Sequence, residues 1–249
     1  MKKEILYKYA EDNNGNIIYI DKVESGINYY CPSCKKKFKF RNGEIRQRHF
    51  AHNIPSPNCT AEGYLHKTFK KLLLELLNTS INQKLPIEIN WECNICKKMH
   101  NGNLLNGILD VKAEYDMGVC RPDIALFNEI GETPIVIEIV DTHEPEFNAV
   151  EHYKKNGITL IKIKVDSLND LENIENKIKY SSVYLYNFIL CPSYRRCYVQ
   201  NIRNKNLFNN RINIRKQTID EIEKIYATNK RKQYYAIKRN YAKNGSKKR

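Results

Sequence analysis

The sequence lacks any long apolar run. No hydrophobic stretch reaches the roughly 18 residues of a membrane-spanning helix, and the first 15 residues contain no apolar segment typical of a signal peptide. These absences predict a soluble, intracellular protein with no membrane partner and no secretion, either cytoplasmic or, for a viral source, associated with a virion or nucleoid. The 249 residues are 41% hydrophobic, which excludes a fibrous or wholly disordered chain.

Acidic residues are scarce at the C-terminal end. Residues 195–249 contain 17 basic and three acidic side chains, and so account for the whole formal net charge of +14. The first 194 residues hold equal numbers of basic and acidic side chains and sum to zero. The positive charge is therefore an appended feature and not a property of the whole protein.

Hydrophobic periodicity predicts a mixed α/β chain. Residues 4–21 predict a strand pair around a turn, and residues 61 to about 77 predict a helix with apolar side chains three and four positions apart. Strand-like segments follow at 87–93, 109–117, 122–128 and 134–140, then a helix over about 146–156 and a strand over 158–165. A polar helix at about 167–179, a strand at 182–190 and a helix at 218–242 complete the prediction.

Cysteine spacing predicts metal binding in place of disulfides. Cys31 and Cys34 form a C-x2-C pair, followed by His49, His52 and Cys59. Zinc takes four sulfur or nitrogen ligands in a tetrahedron, and a C-x2-C turn presents two of them. A structural zinc held by Cys31, Cys34, His52 and Cys59 is predicted, with His49 as the alternative histidine.

A second set of cysteines is looser. Cys93 and Cys96 form another C-x2-C pair, whereas Cys191 and Cys197 have five residues between them and follow the strand region. One zinc held by all four is a possible second site, and the alternative is a single pair with two incidental thiols. Cys120 is left over, and we interpret it as a small buried apolar residue and not as a nucleophile.

Two acidic residues occupy places where a core strand disfavours them. Asp123 opens one predicted strand, and Glu138 interrupts the apolar run 134–140. A buried unpaired carboxylate costs several kcal/mol, so each must meet a cation, a metal or hydrogen bonds. Carboxylates on adjacent strands would form a Mg²⁺ or Mn²⁺ site of the kind that holds a phosphate.

The helix beginning near residue 61 offers three more polar side chains. Glu62, His66 and Lys70 recur every four residues. Helical geometry predicts Glu62 within the apolar stripe and the other two along its rim. The alternative is a helix-terminal Glu with two solvated bases.

Five motifs in one order resemble the competence protein CoiA-like family, within the PD-(D/E)xK nuclease superfamily. They are Cys31-Pro-Ser-Cys34, Arg48-His49-Phe50-Ala51-His52, Glu62-x3-His66-x3-Lys70, Arg121-Pro122-Asp123-Ile124 and Ile137-Glu138-Ile139. The resemblance covers about residues 28–165. It implies an N-terminal zinc-binding module, a restriction-endonuclease-like αβββαβ core and metal-dependent hydrolysis of DNA phosphodiester bonds, with Asp123, Glu138, Glu62, His66 and Lys70 in the catalytic site.

The sequence departs from this pattern at one position. The superfamily has a lysine, or sometimes a glutamine, two residues after the strand Glu, where this chain has Val140. A lysine of the helix could replace that lysine, with Lys70 the first candidate and Lys67 the second. Thr142, His143 and Glu146 are further candidates near the site. The alternatives to a nuclease are an inactive zinc-containing DNA-binding or processing factor and a nucleic-acid packaging protein.

The predicted regions are a β-rich zinc module at 1–60, a nuclease core at 61–190 and a basic extension at 191–249. The extension alternates basic and aromatic side chains, a composition suited to non-specific nucleic-acid binding. Its candidate contacts, with DNA favoured as the partner, are Arg195, Arg196, Arg211, Arg215, Lys230, Arg231, Lys232, Lys238 and Arg239.

Overall fold

The computed structural model describes residues 7–42, 47–54, 59–141, 143–187 and 191. The chain divides into two units, residues 1–192 and 193–249, and all described residues belong to the first. The predicted helix at 218–242 and every candidate nucleic-acid contact lie outside the described residues.

The described unit is mixed α/β. Its strands are β1 (Tyr9–Glu11), β2 (Ile17–Tyr19), β3 (Phe38–Arg41), β4 (His49–His52), β5 (Glu88–Glu92), β6 (Met99–Asn103), β7 (Ile108–Ala113), β8 (Ile124–Asn128), β9 (Ile135–Val140), β10 (Thr159–Lys164) and β11 (Ser182–Tyr184). Its α-helices are α1 (Ala61–Gln83), α2 (Phe147–Asn156) and α3 (Ile174–Lys179), and short 3-10 helices span Ile20–Lys22 and Leu168–Leu171. None of the described helices combines the length and apolarity needed to cross a membrane.

A five-stranded sheet in the order β11-β10-β9-β8-β7 organises the unit. The pair β9 and β10 is parallel, with α2 as the crossover, and the other pairs are antiparallel. The three smaller sheets are the hairpins β1-β2, β3-β4 and β5-β6.

The two faces of the sheet carry different helices. Leu126, Ile137 and Ile161 pack in the same apolar core as α1, whereas Ala125 and Val136 pack with α2. Because neighbouring residues of a strand point to opposite faces, this alternation buries the middle strands between two helical layers. Glu138 is the polar exception in β9, next to the buried Ile137 and Ile139.

Helix α1 continues six residues beyond the predicted end. Thr60 caps its start, where the Oγ1 accepts a hydrogen bond from the Gly63 backbone N–H at 2.9 Å. It ends at Lys84, which has the left-handed φ of 55°. Ile81, one turn after Leu77, continues the apolar stripe into the polar segment 78–83, where hydrophobic periodicity gives little signal for a helix.

The predicted polar helix at 167–179 is interrupted. Asp170 Oδ2 accepts hydrogen bonds from the backbone N–H groups of Asp166 and Ser167, at 2.7 and 3.0 Å. These bonds close a capped 3-10 turn, and the α-helix begins only at Ile174. The following strand is described over Ser182–Tyr184, while residues 188–190 of its predicted range lie outside the described residues.

Candidate metal clusters and carboxylate site

Four side chains near the N-terminus form the first cluster: Cys31, Cys34, His52 and Cys59. Their ligand atoms all lie within 4.8 Å of one another. Cys31 Sγ lies 3.5 Å from Cys59 Sγ, and Cys34 Sγ lies 3.2 Å from His52 Nε2. Three thiols and an imidazole are the donor set that structural zinc takes.

Three separate elements deliver these ligands. Cys31 and Cys34 lie on one turn, His52 ends β4, and Cys59 lies just before α1. The cluster is packed into the main apolar core, where burial raises the pKa of the Cys31 thiol. The first cluster is therefore built onto the same core as α1.

His49 is directed elsewhere. It is almost fully buried, and its Nδ1 lies 2.8 Å from the Gln47 carbonyl oxygen. Its Nε2 has no hydrogen-bond partner among the described residues. Of the two histidines considered from the sequence, the structure brings His52 to the thiols.

A second cluster unites Cys93, Cys96, His100 and Cys191, with all ligand atoms within 4.8 Å of one another. Cys96 Sγ lies 3.1 Å from His100 Nε2 and 3.6 Å from Cys191 Sγ. His100 lies in β6 and is a residue that the sequence reasoning missed, although it follows Cys96 by only four positions. Cys197, expected in this set, lies outside the described residues. The donors again suit zinc.

Asp123 and Glu138 come together where the start of β8 lies beside β9, since Ile124 pairs with Ile137. Asp123 Oδ2 accepts a hydrogen bond from the Ile139 backbone N–H at 2.9 Å, and the Asp123 backbone N–H lies 3.4 Å from Glu138 Oε2. Tyr153 of α2 donates a hydrogen bond to Glu138 Oε1 at 2.8 Å. The two carboxylates expected to be neighbours are thus adjacent.

Two side chains of α1 reach this pair. His66 Nε2 lies 3.0 Å and Lys70 Nζ lies 2.9 Å from Asp123 Oδ1, and Lys70 also pairs with Glu114. Lys67, the second candidate for the missing lysine, donates a hydrogen bond to the Ser33 carbonyl oxygen instead. Val140 itself is buried.

Charge and burial act differently on the two carboxyl groups. Burial alone would raise the pKa of Asp123, but the hydrogen bond from His66 and the charges of His66 and Lys70 outweigh it and lower that pKa. Burial, and then the Asp123 charge, raise the pKa of Glu138 to about 7 despite the hydrogen bond from Tyr153. Burial would lower the pKa of Lys70, but Asp123 and Glu114 raise it, so Lys70 is cationic.

The carboxylates open onto a cavity of about 380 Å³. Its lining includes His66, Arg121, Glu146 and both carboxylates. Cys120 also lines it and is only partly buried, and burial raises the pKa of its thiol. The cavity is large enough to admit a small charged group beside Asp123 and Glu138.

Glu62 does not join the carboxylate pair. It lies in the first turn of α1, its side chain is 44% exposed, and it groups with Asp141 and His143. The expectation that Glu62 lies within the apolar stripe is corrected by this position, because the packed stripe begins with Tyr64 and Leu65. Thr142 lies outside the described residues.

Together these features define a mixed α/β protein with two Cys3His clusters that offer zinc its usual ligands. Residues 14–62 match the family model described as "Competence protein CoiA, N-terminal domain". The match confirms the CoiA-like resemblance over the stretch that contains the first cluster. Comparison with curated proteins and with solved structures finds no match for the chain.

Proposed function

We propose that this chain is a CoiA-like, divalent-metal-dependent nuclease that hydrolyses DNA phosphodiester bonds. The observation that carries the proposal is the partly buried pair of Asp123, just before β8, and Glu138, in the adjacent strand β9, with Lys70 and His66 on the Asp123 carboxylate. Apart from the β5-β6 hairpin inserted after α1, the element order α1-β7-β8-β9-α2-β10 supports a restriction-endonuclease-like αβββαβ core. The family match supports a role related to competence.

The carboxylate pair fits Mg²⁺ or Mn²⁺ by its chemistry. Both ions take oxygen ligands, and Mg²⁺ in phosphate-processing sites is bound by one or two carboxylates, with waters and substrate phosphate completing its shell. Asp123 and Glu138 would hold the ion, with Glu62, whose Oε1 lies 3.8 Å from Nδ1 of the cavity-lining His143, as a supporting carboxylate. When bound, the ion would supply the Lewis acid for attack of water on the phosphodiester.

The chain's own groups have separate roles in this proposal. His66 and the Ile139 N–H orient the Asp123 carboxylate, and Tyr153 orients that of Glu138. Lys70 places a cation where negative charge develops on the phosphate, which is the role of the lysine absent from position 140. In this proposal α1 supplies the lysine cation that strand β9 would carry in other members of the superfamily.

Cleavage of labelled single- and double-stranded DNA by the full chain tests the proposal, with Mg²⁺, Mn²⁺ or EDTA. Cleavage should require metal and should vanish in Asp123→Ala and Glu138→Ala. Asp110→Ala is the matched control, because Asp110 is an exposed acid on β7 outside this cavity. Persistence of metal-dependent products in both site variants would refute the assignment.

A second pair of variants tests the lysine. Lys70→Ala should lower the cleavage rate by a factor of roughly 10² or more, since removal of one charge-stabilising group has costs of this order. Lys67→Ala, one turn away and directed at Ser33, should cut as fast as the wild type. Equal rates for all three proteins would exclude Lys70 from the chemistry.

The buried Val140 favours one alternative, an inactive nucleic-acid-binding, processing or packaging protein. This alternative predicts that wild-type protein shifts DNA in a gel without cutting it under any metal condition. Binding would then depend on the basic extension. Replacement of Lys230, Arg231 and Lys232 by alanine should weaken the affinity and reduce its salt dependence.

A further inference from the structure

We propose that Cys93, Cys96, His100 and Cys191 form a second structural zinc site, which fastens the β5-β6 hairpin to the end of the described unit. The site is independent of the nuclease chemistry, because none of its ligands lines the carboxylate cavity. It lies outside residues 14–62, the stretch that matches the family model.

The first observation is a shared backbone turn. In both C-x2-C segments the first cysteine donates its N–H to the carbonyl five residues on, at 2.9 Å for Cys31 and for Cys93. The residue after the second cysteine donates back to the first cysteine's carbonyl, at 2.9 and 2.8 Å. That residue is Lys35 in one turn and Lys97 in the other, with left-handed φ values of 61° and 55°. The second pair therefore has the same knuckle as the first.

The second observation is the spacing of the ligand atoms. Tetrahedral zinc holds two thiolate sulfurs about 3.8 Å apart and a sulfur and an imidazole nitrogen about 3.6 Å apart. Cys96 Sγ lies 3.6 Å from Cys191 Sγ and 3.1 Å from His100 Nε2, close to the 3.5 and 3.2 Å of the first cluster. No disulfide joins the described cysteines to one another. Three soft sulfurs with one imidazole favour zinc over Mg²⁺ or Ca²⁺.

The third observation is what the ligands connect. Cys93 follows β5 and His100 lies in β6, whereas Cys191 is 95 positions beyond Cys96. Asn94 already donates a hydrogen bond to the Leu185 carbonyl oxygen at 2.9 Å, so the knuckle contacts the segment after β11. A zinc here would cross-link the hairpin to that segment, and closing a loop of this length restricts the unfolded chain strongly.

The zinc content of the purified full-length protein, measured by inductively coupled plasma mass spectrometry, tests the proposal. Wild type should contain two zinc ions per chain, and His100→Ala and Cys191→Ser should each contain one. Cys120→Ser should retain two, because Cys120 belongs to neither cluster. Cys197→Ser should also retain two, since His100 supplies the fourth ligand.

Three results would overturn the proposal. The first is one zinc per wild-type chain, which decides the question even if the variants fail to fold. The second is two zinc ions in His100→Ala with one in Cys197→Ser, which would assign the fourth ligand to Cys197. The third is loss of one zinc from Glu138→Gln, which would place the second ion at the carboxylates.

Protein grown with Co²⁺ in place of zinc gives an independent readout. Two Cys3His sites hold six thiolates, so the sulfur-to-cobalt charge-transfer absorbance per chain should fall to about half in Cys191→Ser. An unchanged absorbance in that variant would contradict a site at Cys191. The cobalt spectrum of the first site also reports whether the variant has folded.

Discussion

The two cysteine knuckles have the same local backbone but very different surroundings. Around the first, the His52 ring packs against Phe38 and Tyr7, with ring centroids 4.8 and 5.5 Å apart. Around the second, the His100 ring lies 5.6 Å from the half-buried Trp91, its one aromatic contact within the described part of the chain. The C-x2-C motif thus determines the conformation of the turn. The packing around the turn determines how strongly the stability of the fold depends on it.

Charge distinguishes the two turns as well. Lys35 donates to both carboxylate oxygens of Glu11 at 2.6 Å, and Glu11 is buried and also pairs with Lys71 of α1. Lys97, at the equivalent position, has no ion pair among the described residues. The first knuckle is therefore tied to α1 by an ionic network as well as by its apolar contacts.

The largest effect should come from Cys34→Ser in the first cluster. A serine hydroxyl does not replace a thiolate on zinc, and structural zinc contributes about 10–16 kcal/mol in small zinc domains, more than the net stability of many proteins. We expect loss of the cooperative thermal transition followed by circular dichroism. Cys120→Ser is the control for loss of a thiol outside both clusters, and a wild-type melting curve for Cys34→Ser would contradict a structural role for the first cluster.

Cys96→Ser in the second cluster should do less damage. Loss of a cross-link over a loop near 100 residues destabilises by about 4–5 kcal/mol, by analogy with disulfides. The β5-β6 hairpin should lose hydrogen-exchange protection while β8 and β9, in the middle of the sheet, keep theirs. Equal loss of protection in both places would mean that the two clusters support the fold to the same degree.

The sequence predicts the knuckles, the long helix and the strands that carry Asp123 and Glu138, because each has a strong local pattern. His100 lacks such a signal, since β6 reads MHNGN and its five residues are mostly exposed. Its strand exists through pairing with β5, which places His100 opposite Trp91. The proximity of Lys70 to Asp123 likewise arises only in the tertiary structure, because 53 positions separate the two residues in sequence.

Truncating one aromatic side chain in the surroundings of each cluster compares the packing of the two regions. Phe50 is fully buried and stacks on Phe38 with ring centroids 5.8 Å apart, so Phe50→Ala should cost about 3–5 kcal/mol. Trp91 is only partly buried, so Trp91→Ala should cost roughly half of that. Urea unfolding of the zinc-loaded proteins measures both. A larger loss of stability in Trp91→Ala than in Phe50→Ala would show that the second cluster is the more tightly packed of the two.

The smallest effect separates the lysines that follow the two knuckles. Both have left-handed backbone, which costs a non-glycine residue about 1–2 kcal/mol, so glycine should relieve strain in each turn. Lys97→Gly, which removes no ion pair of a described residue, should therefore stabilise by about 0.5–1 kcal/mol in urea unfolding. Lys35→Gly also removes a cation from the buried Glu11, leaving Lys71 as its remaining described ionic partner.

That loss should cancel or exceed the backbone gain, so Lys35→Gly should be neutral or destabilising while Lys97→Gly is stabilising. The double variant Lys35→Gly with Glu11→Gln also removes the Glu11 charge and should recover the gain seen at Lys97. Equal stabilisation by both single glycine variants would show that the Glu11 network adds nothing to the first knuckle. The two turns would then differ only in their apolar surroundings.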